Sequence, residues 1–221
     1  MDPSLLFSLR LSLQVASVAT GLIVVIGVPV AYVLARRSFR GKEILDMLFT
    51  LPLVLPPTVI GYYLIVLLGR NGLVGRYVYG WTGWSVMFTW YAAVIASFVV
   101  ALPLLIKTTR AALESVDENL IRASYTLGHS EYRTAFKVIL PLSKKGIVAG
   151  AVLSFARAMG EFGATLMIAG NIPGKTDTMP LAIYSAASSG DRMQANTLVL
   201  LFTLISGSFL YMANKLNKRI L

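Results

Sequence analysis

Two ionisable residues, Arg157 and Glu161, lie inside an otherwise apolar stretch of the sequence. Their spacing of four places them one above the other on a helix, where a guanidinium and a carboxylate can form an ion pair. Charges inside a membrane span are costly and normally face a bundle interior or water. The spacing therefore predicts a charge pair at the wall of a pathway or at a contact between helices.

The pair belongs to a longer stripe of small and polar residues with helical spacing. Small residues on such a stripe allow two helices to approach closely. Two interpretations stay open: the stripe lines a translocation pathway or a subunit interface, or the ion pair only locks helix packing. The stripe consists of Gly146, Gly150, Ser154, Arg157, Glu161 and Thr165.

Other patterns that could support catalysis or metal binding are weak. The sequence has no cysteine, and its one histidine, His129, has no neighbouring ligands and is expected to be a solvated loop residue. Segment 169–176 nearly matches a phosphate-binding loop, but Ala169 replaces the first glycine and Pro173 removes a backbone donor. We therefore expect no enzyme activity, no metal and no cofactor in this chain.

Long apolar runs determine the class of protein that positions these residues. The chain is 56% hydrophobic with a mean hydropathy of +0.71, and its apolar runs reach the roughly 20 residues that cross a bilayer core. The sequence predicts an all-α, polytopic transmembrane bundle that forms one domain, 1–221. The five predicted spans are 11–35, 47–69, 86–106, 146–169 and 193–214.

Basic residues are distributed unevenly between the loops that these spans create. Fourteen Lys and Arg residues fall on one side, chiefly in 36–42, in the loop 107–145 and after the last span, against five on the other side. Cytoplasmic loops carry the excess of Lys and Arg. We expect the N-terminus outside, the loop 107–145 inside and the C-terminus in the cytoplasm.

The second span contains three prolines, Pro52, Pro56 and Pro57, within six residues. Proline disrupts a helix interior, and irregular backbone at membrane depth is tolerated only inside protein or beside a cavity. One interpretation is a bent helix near a translocation path. In the other, the prolines lie at the cytoplasmic end and merely start the helix.

The loop between the third and fourth spans has the pattern of helix, break, helix and stop. Ser115 and Glu118 have capping-box spacing, and Gly128 can adopt the left-handed conformation that ends a helix. Ser130 can cap the second helix, and Pro141 is expected to stop it. Apolar residues on this charged segment favour docking onto a partner. They are Leu113, Leu120, Ile121 and Leu127.

This loop resembles the signature loop of bacterial ABC-importer permeases, whose helix engages a cytoplasmic ATPase. Ala123, Gly128 and 140–141 match the family spacing, whereas Arg122 and Ser124 replace a Glu and an Ala. An ordinary cytosolic loop is the alternative interpretation. The resemblance implies that the ATPase-coupling residues are Leu120, Arg122, Ala123, Ser124, Leu127, Gly128, Leu140 and Pro141.

Nearly the whole chain resembles the permease subunits of molybdate ABC importers. The similarity rests on 51–57, 61–62, 156–165, 170–176 and 180–184. The Gly-Glu-Phe-Gly core is shared with sulfate permeases, whereas the Asn-Ile-Pro-Gly-Lys-Thr continuation favours molybdate or tungstate.

The resemblance implies an inner-membrane permease that works as a homodimer by alternating access. Its expected partners are a cytoplasmic ATPase dimer, which hydrolyses ATP, an external oxyanion-binding protein and the lipid bilayer, with no role for nucleic acid. A sulfate or thiosulfate permease is the closest alternative. An ion-gradient-driven transporter fits less well, because it predicts inverted repeats or paired broken helices with several buried carboxylates.

Overall fold

A computed structural model describes residues 3–219, so residues 1, 2, 220 and 221 of the predicted domain 1–221 lie outside the described residues. The same holds for the side chains of Lys218 and Arg219, which entered the charge count. No strand occurs within 3–219, and the predicted all-α class is confirmed. The helices are α1 (Pro3–Arg36), α2 (Lys42–Val54), α3 (Pro57–Leu68), α4 (Gly75–Thr82), α5 (Trp90–Glu114), α6 (Glu118–Thr126), α7 (Glu131–Thr134), α8 (Leu140–Met159), α9 (Gly163–Ala169), α10 (Met179–Ser188) and α11 (Arg192–Arg219).

Helices α1, α5 and α8 form the centre of the bundle. They approach closely because small residues occupy their contacts: a β-carbon added at Gly27 of α1 would lie 2.6 Å from the Leu105 side chain of α5. On α8, Gly146 and Gly150 leave no room for a side chain against Ala112 and Thr108 of α5. Contacts of this kind stabilise helix packing in a bilayer, where the hydrophobic effect does not drive helices together.

The second apolar run is a broken helix. Helices α2 and α3 meet at an angle of 118°, and the chain is extended at Leu55 and Pro56. Pro57 occupies the start of α3, where its missing N–H has no consequence, whereas Pro52 stays inside α2. The predicted bend is confirmed and only Pro57 starts a helix, whereas the position of the bend near a translocation path stays a prediction.

The fourth span differs from the predicted continuous helix over 146–169. Helix α8 ends at Met159, and a break at 160–162 precedes the short helix α9. Gly160 is the last-turn cap of α8, and Phe162 leaves helical geometry with φ −127° and ψ −58°. The predicted stripe from Gly146 to Thr165 is therefore not one helix face.

The fourth span also begins earlier than predicted, because Pro141 does not stop the helix. Helix α7 continues into α8 through a π-helical turn at Ala135–Ile139, in which the Leu140 N–H bonds the Ala135 carbonyl. This wider turn moves the carbonyls away from the proline ring, and Pro141 falls in the first turn of α8. Residues Glu131–Met159 form one apolar unit long enough to cross a membrane.

Helices α5 and α10 also differ from the prediction. Helix α5 starts at Trp90, after the separate helix α4, rather than at the predicted residue 86. Helix α10, which the sequence reading omitted, packs beside α11. Within 3–219 four helices can cross a membrane by length and composition, or five if α2 and α3 count as one broken span.

Candidate functional site

Ion pairs hold the charged segments between helices together at one end of the bundle, which we name the basic end. Arg36 at the end of α1 pairs with Glu118 of α6 at 2.5 Å, and Lys107 of α5 pairs with Asp46 of α2 at 2.9 Å. Arg110 also contacts Asp46, at 3.1 Å. Segments with the predicted excess of basic residues therefore share one end.

Helix α6 begins at an N-cap residue, Asp117, that differs from the predicted Ser115. The Asp117 carboxylate accepts a hydrogen bond from the Asn119 N–H at 2.8 Å, which satisfies one of the free donors of the first turn. The predicted Ser115–Glu118 capping box is wrong, because Ser115 ends α5 and its hydroxyl donates to the Ala112 carbonyl. Asp117 is closer to the helix start and provides a charged acceptor.

The end of α6 has the predicted glycine break. Gly128 has φ +81°, its N–H bonds the Tyr125 carbonyl at 2.9 Å, and the His129 N–H bonds the Ser124 carbonyl at 3.2 Å. This pair of bonds is the Schellman motif, which satisfies the last carbonyls of a helix without side chains. The Ser130 hydroxyl then caps α7 by accepting the Arg133 N–H at 3.4 Å, as predicted.

A groove of about 370 Å³ lies between α6 and the start of α8, here named the docking groove. It is lined by five of the eight predicted coupling residues, while Arg122 and Gly128 are exposed beside it and Leu140 is half-buried. Leu113 and Ile121 belong to the core instead, so the prediction that they face a partner is wrong. The five lining residues are Leu120, Ala123, Ser124, Leu127 and Pro141.

Exposed apolar side chains surround the groove. Leu127 is 78% exposed and Leu120 is 49% exposed, although the loop around them is charged. Tyr132 and Phe136, which stack with ring centroids 4.6 Å apart, extend the apolar surface and escaped the sequence reading. Their spacing of four residues, which places both rings on one face of a helical segment, was the sequence feature that could have revealed them. Such a patch on a charged loop is typical of a protein-binding surface.

The floor of the groove is fixed by a polar network that the sequence reading did not predict. The Ser124 hydroxyl is buried, 3.1 Å from the His129 ring nitrogen Nδ1 and 2.9 Å from the Thr134 hydroxyl. Ser124 thus joins α6 to α7 instead of facing a partner, and His129 is half-buried rather than a solvated loop residue. No spacing rule connects these three residues, because the glycine break brings them together.

Arg157 and Glu161 form the predicted ion pair at 2.8 Å, but at a break between helices. The second carboxylate oxygen of Glu161 accepts the Ala164 N–H at 2.8 Å and so caps α9. The Glu161 side chain is 1% exposed, whereas that of Arg157 is 32% exposed. One carboxylate therefore connects the last turn of α8 to the first turn of α9, and we name this arrangement the Glu161 joint.

Three other residues of the predicted stripe are buried within one copy of the chain, and Gly146 is half-buried. The Ser154 hydroxyl donates to the Ala101 carbonyl of α5 at 3.2 Å, and Gly150 packs on the same helix. Thr165 is 1% exposed on α9. Of the stripe residues singled out as pathway or interface candidates, Arg157 keeps the largest open surface.

The two helix breaks contact each other. A β-carbon added at Gly163 would lie 3.0 Å from the β-carbon of Pro57, and one added at Gly61 would lie 2.6 Å from that of Met167. The prolines that bend the second span thus face the break in the fourth. One copy of the chain encloses the two breaks only in part, because Gly163 is buried whereas Pro56 and Gly160 are exposed.

The segment 170–178, which nearly matches a phosphate-binding loop, has a different structure. Its Thr176 is fully buried, accepting the Ile172 N–H at 3.0 Å and lying 3.3 Å from the Gly170 carbonyl. No strand precedes it within 3–219. The loop closes on itself, and its threonine has no surface for a nucleotide.

Sequence comparison assigns the family. Residues 23–220 match the family described as "Binding-protein-dependent transport system inner membrane component". The chain belongs to this family. It is therefore a multi-pass inner-membrane permease component of an ABC transporter.

Individual relatives match over nearly the whole length. The chain is 45% identical to the "Molybdenum transport system permease protein ModB" of Haemophilus influenzae over 213 residues, which are 96% of this chain and 92% of the relative. It is 42% identical to the "Putative molybdenum transport system permease protein YvgM" of Bacillus subtilis, covering 91% and 88% of the two chains.

Solved ABC transporters share the permease fold. The chain superimposes on an inward-facing structure of the MetNI methionine ABC transporter with a TM-score of 0.77 and 18% identity, covering 100% of both chains. A bacterial ABC transporter that imports alginate gives a TM-score of 0.76 with 14% identity, covering 100% of this chain and 81% of that one. At these identities the likeness concerns the fold alone.

Proposed function

We propose that this chain is the membrane-spanning permease of an importer that moves molybdate or tungstate inward, driven by a separate cytoplasmic ATPase. The observation that carries the proposal is the docking groove, an exposed apolar surface on the coupling loop of a chain similar to molybdenum permeases. The ATPase binds this groove and moves α6, and the spans respond by alternating access. ATP hydrolysis takes place in the partner.

Uptake by proteoliposomes tests the proposal. The vesicles contain the chain, its cognate ATPase and its cognate binding protein, and labelled molybdate is supplied outside. We expect uptake that requires ATP, stops with a non-hydrolysable analogue, and is inhibited by tungstate but not by equal sulfate. Preferential sulfate uptake would support the sulfate permease instead, and ATP-independent uptake driven by an ion gradient would contradict the ABC mechanism.

The working unit in this proposal is one transmembrane domain present in two copies. Helix α2 has no buried residue, and only 6% of the apolar window of α11 is buried, so a single copy leaves long helix faces uncovered. Two copies related by a two-fold axis close the pathway between them. Native mass spectrometry of the detergent-solubilised complex should give two permease chains, and a single copy would contradict the arrangement.

The basic end faces the cytoplasm, and the N-terminus lies outside. Support comes from the concentration of Lys and Arg at this end together with the docking groove. Reporter fusions at Lys42 and Arg133 should score as cytoplasmic, and fusions at Gly72 and Asp177 as external. An external score at Arg133 would place the groove out of reach of an ATPase.

The Glu161 joint has a structural role in this proposal. One carboxylate oxygen accepts the Ala164 N–H at 2.8 Å, and the other lies 2.8 Å from a guanidinium nitrogen of Arg157 as an ion pair without hydrogen-bond geometry. Gly150, Ser154 and Thr165 support the packing around it. Arg157 alone keeps surface for a passing anion or a second copy, and its paired charge attracts an oxyanion less strongly than a free cation, which favours release.

A further inference from the structure

Arg36, the last residue of α1, and Arg37, which follows it, reach the first residues of both coupling-loop helices. Arg36 lies 2.5 Å from the Glu118 carboxylate of α6 and donates to the Leu113 carbonyl of α5 at 2.6 Å. Its side chain is 14% exposed. Arg37 pairs with Glu131 of α7 at 2.8 Å, but both partners are largely exposed. Arg36 is thus the partly buried contact that joins α1, α5 and α6, and we name it the inner clamp.

The opposite end of α1 is held by a second polar contact, here named the outer clamp. The Ser12 hydroxyl accepts the Met179 N–H at the start of α10 at 2.7 Å, and the Ser8 hydroxyl lies 3.2 Å from the Asp177 carboxylate. Ser8 and Ser12 are buried, with 1% and 2% of their surface exposed. Hydrogen bonds of buried hydroxyls are strong in apolar surroundings, so these two contacts fix the position of α1 relative to the start of α10.

We infer that α1 transmits movement between the coupling loop and the outer segment 176–179, with Arg36 and Ser12 as the positioning residues at its two ends. This inference rests on the proposed function, because the movement begins where the ATPase binds. Arg36 fixes the start of α6, so displacement of α6 displaces the end of α1. Ser12 fixes the start of α10, so α1 carries that displacement to the outer face.

The helix between the clamps is suited to this role. Ser12 and Arg36 are 24 residues apart, a rise of about 36 Å. Over this length α1 stays helical, with Pro29 inside it, and its middle packs tightly on α5 at Gly27. A continuous packed element with fixed ends can connect distant sites, provided that both sites bias it.

The inner clamp is tested in proteoliposomes with the complete complex, by measuring molybdate taken up per ATP hydrolysed. Arg36→Ala should lower this ratio about tenfold. Glu118→Gln, on an exposed side chain that places little demand on folding, should lower it in the same direction. The control is Arg40→Ala, since Arg40 is exposed and makes no ion pair among the described residues; it should retain the wild-type ratio.

The outer clamp and the connection between clamps are tested by a double-mutant cycle. Ser12→Ala should also lower uptake per ATP. Independent sites this far apart add their free energies, so their fold losses multiply. If α1 is the single link, Arg36→Ala/Ser12→Ala shows no greater loss than the stronger single variant.

Three results would overturn the inference: a wild-type ratio in Glu118→Gln, a wild-type ratio in Ser12→Ala, or multiplied losses in the double variant. If Arg36→Ala fails to assemble with the ATPase, the Glu118→Gln/Ser12→Ala pair provides the same cycle. All values are ratios to wild type. Absence of uptake by the wild-type complex would contradict the proposed function, whereas wild-type ratios in the variants would contradict only the role of α1.

Discussion

The breaks at Gly128 and at 160–162 each separate two helices, and the chain stabilises these two breaks in opposite ways. At Gly128 the backbone satisfies itself through left-handed geometry, and the side chains of Leu120 and Leu127 stay exposed. At 160–162 the Glu161 carboxylate accepts a backbone N–H of the next helix, and the carboxylate itself, Met159 and Ala164 are buried. A backbone-only break leaves surface for a partner, whereas a side-chain-capped break inside the membrane stabilises the bundle.

Removal of the Glu161 carboxylate should have the largest effect. Glu161→Ala leaves the Ala164 N–H without its acceptor and removes the partner of Arg157, so we expect a loss of stability on the order of 3 kcal/mol. Thermal unfolding of the detergent-solubilised protein measures it. Arg157→Ala/Glu161→Ala should recover only part of this loss, because the α9 cap remains absent.

Glu161→Gln is the matched control for that prediction. The amide keeps an acceptor for the Ala164 N–H and loses only the charge, and Arg157 is exposed enough to gain water. We expect an unfolding temperature between those of wild type and Glu161→Ala. Equal losses in Glu161→Gln and Glu161→Ala would show that the cap contributes nothing.

A β-branched residue at Gly128 should give the next largest effect, on coupling rather than on membrane insertion. An added β-carbon there meets no atom within 4 Å, so the strain of Gly128→Val lies in the backbone alone, about 1–3 kcal/mol. We expect substrate-stimulated ATP hydrolysis and uptake to fall while expression persists. Gly128→Asn, which tolerates the left-handed region, should restore most activity. Wild-type uptake by Gly128→Val would show that the break is not required.

Arg122→Glu should have the smallest effect. Arg122 is exposed beside the groove and does not line it, so the change to the family residue should alter uptake by no more than roughly twofold, or 0.5 kcal/mol. Uptake by the reconstituted complex measures it. A loss comparable to that of Gly128→Val would mean that the ATPase contacts the charged face of α6 rather than its apolar face.

The features predictable from the sequence are those set by local rules. The lengths of the hydrophobic runs locate the helices, because the bilayer core sets the length of a span. The roles of Gly128 and Ser130 follow from the left-handed conformation that glycine allows and from the capping preference of serine. The Arg157–Glu161 pair follows from spacing alone, since the last turn of α8 stays close to helical up to the break.

The features that were not predicted depend on competition between neighbouring residues for one role or on contacts between distant parts of the chain. Asp117 displaced the predicted capping box because a carboxylate stood nearer the helix start. Pro141 remained within a helix because a π-helical turn preceded it. The break after Met159 is stabilised by a side chain three residues from its donor and by Pro57 of another span. Hydropathy cannot report either contact.

Binding of the cognate ATPase to the solubilised permease tests most directly whether the exposed break is the docking site and the buried break is not. Leu127 is 78% exposed, so Leu127→Asp should leave the unfolding temperature unchanged and weaken ATPase binding by about tenfold or more. Glu161→Gln should bind the ATPase with wild-type affinity. Wild-type affinity in Leu127→Asp, or weakened binding confined to Glu161→Gln, would contradict this assignment.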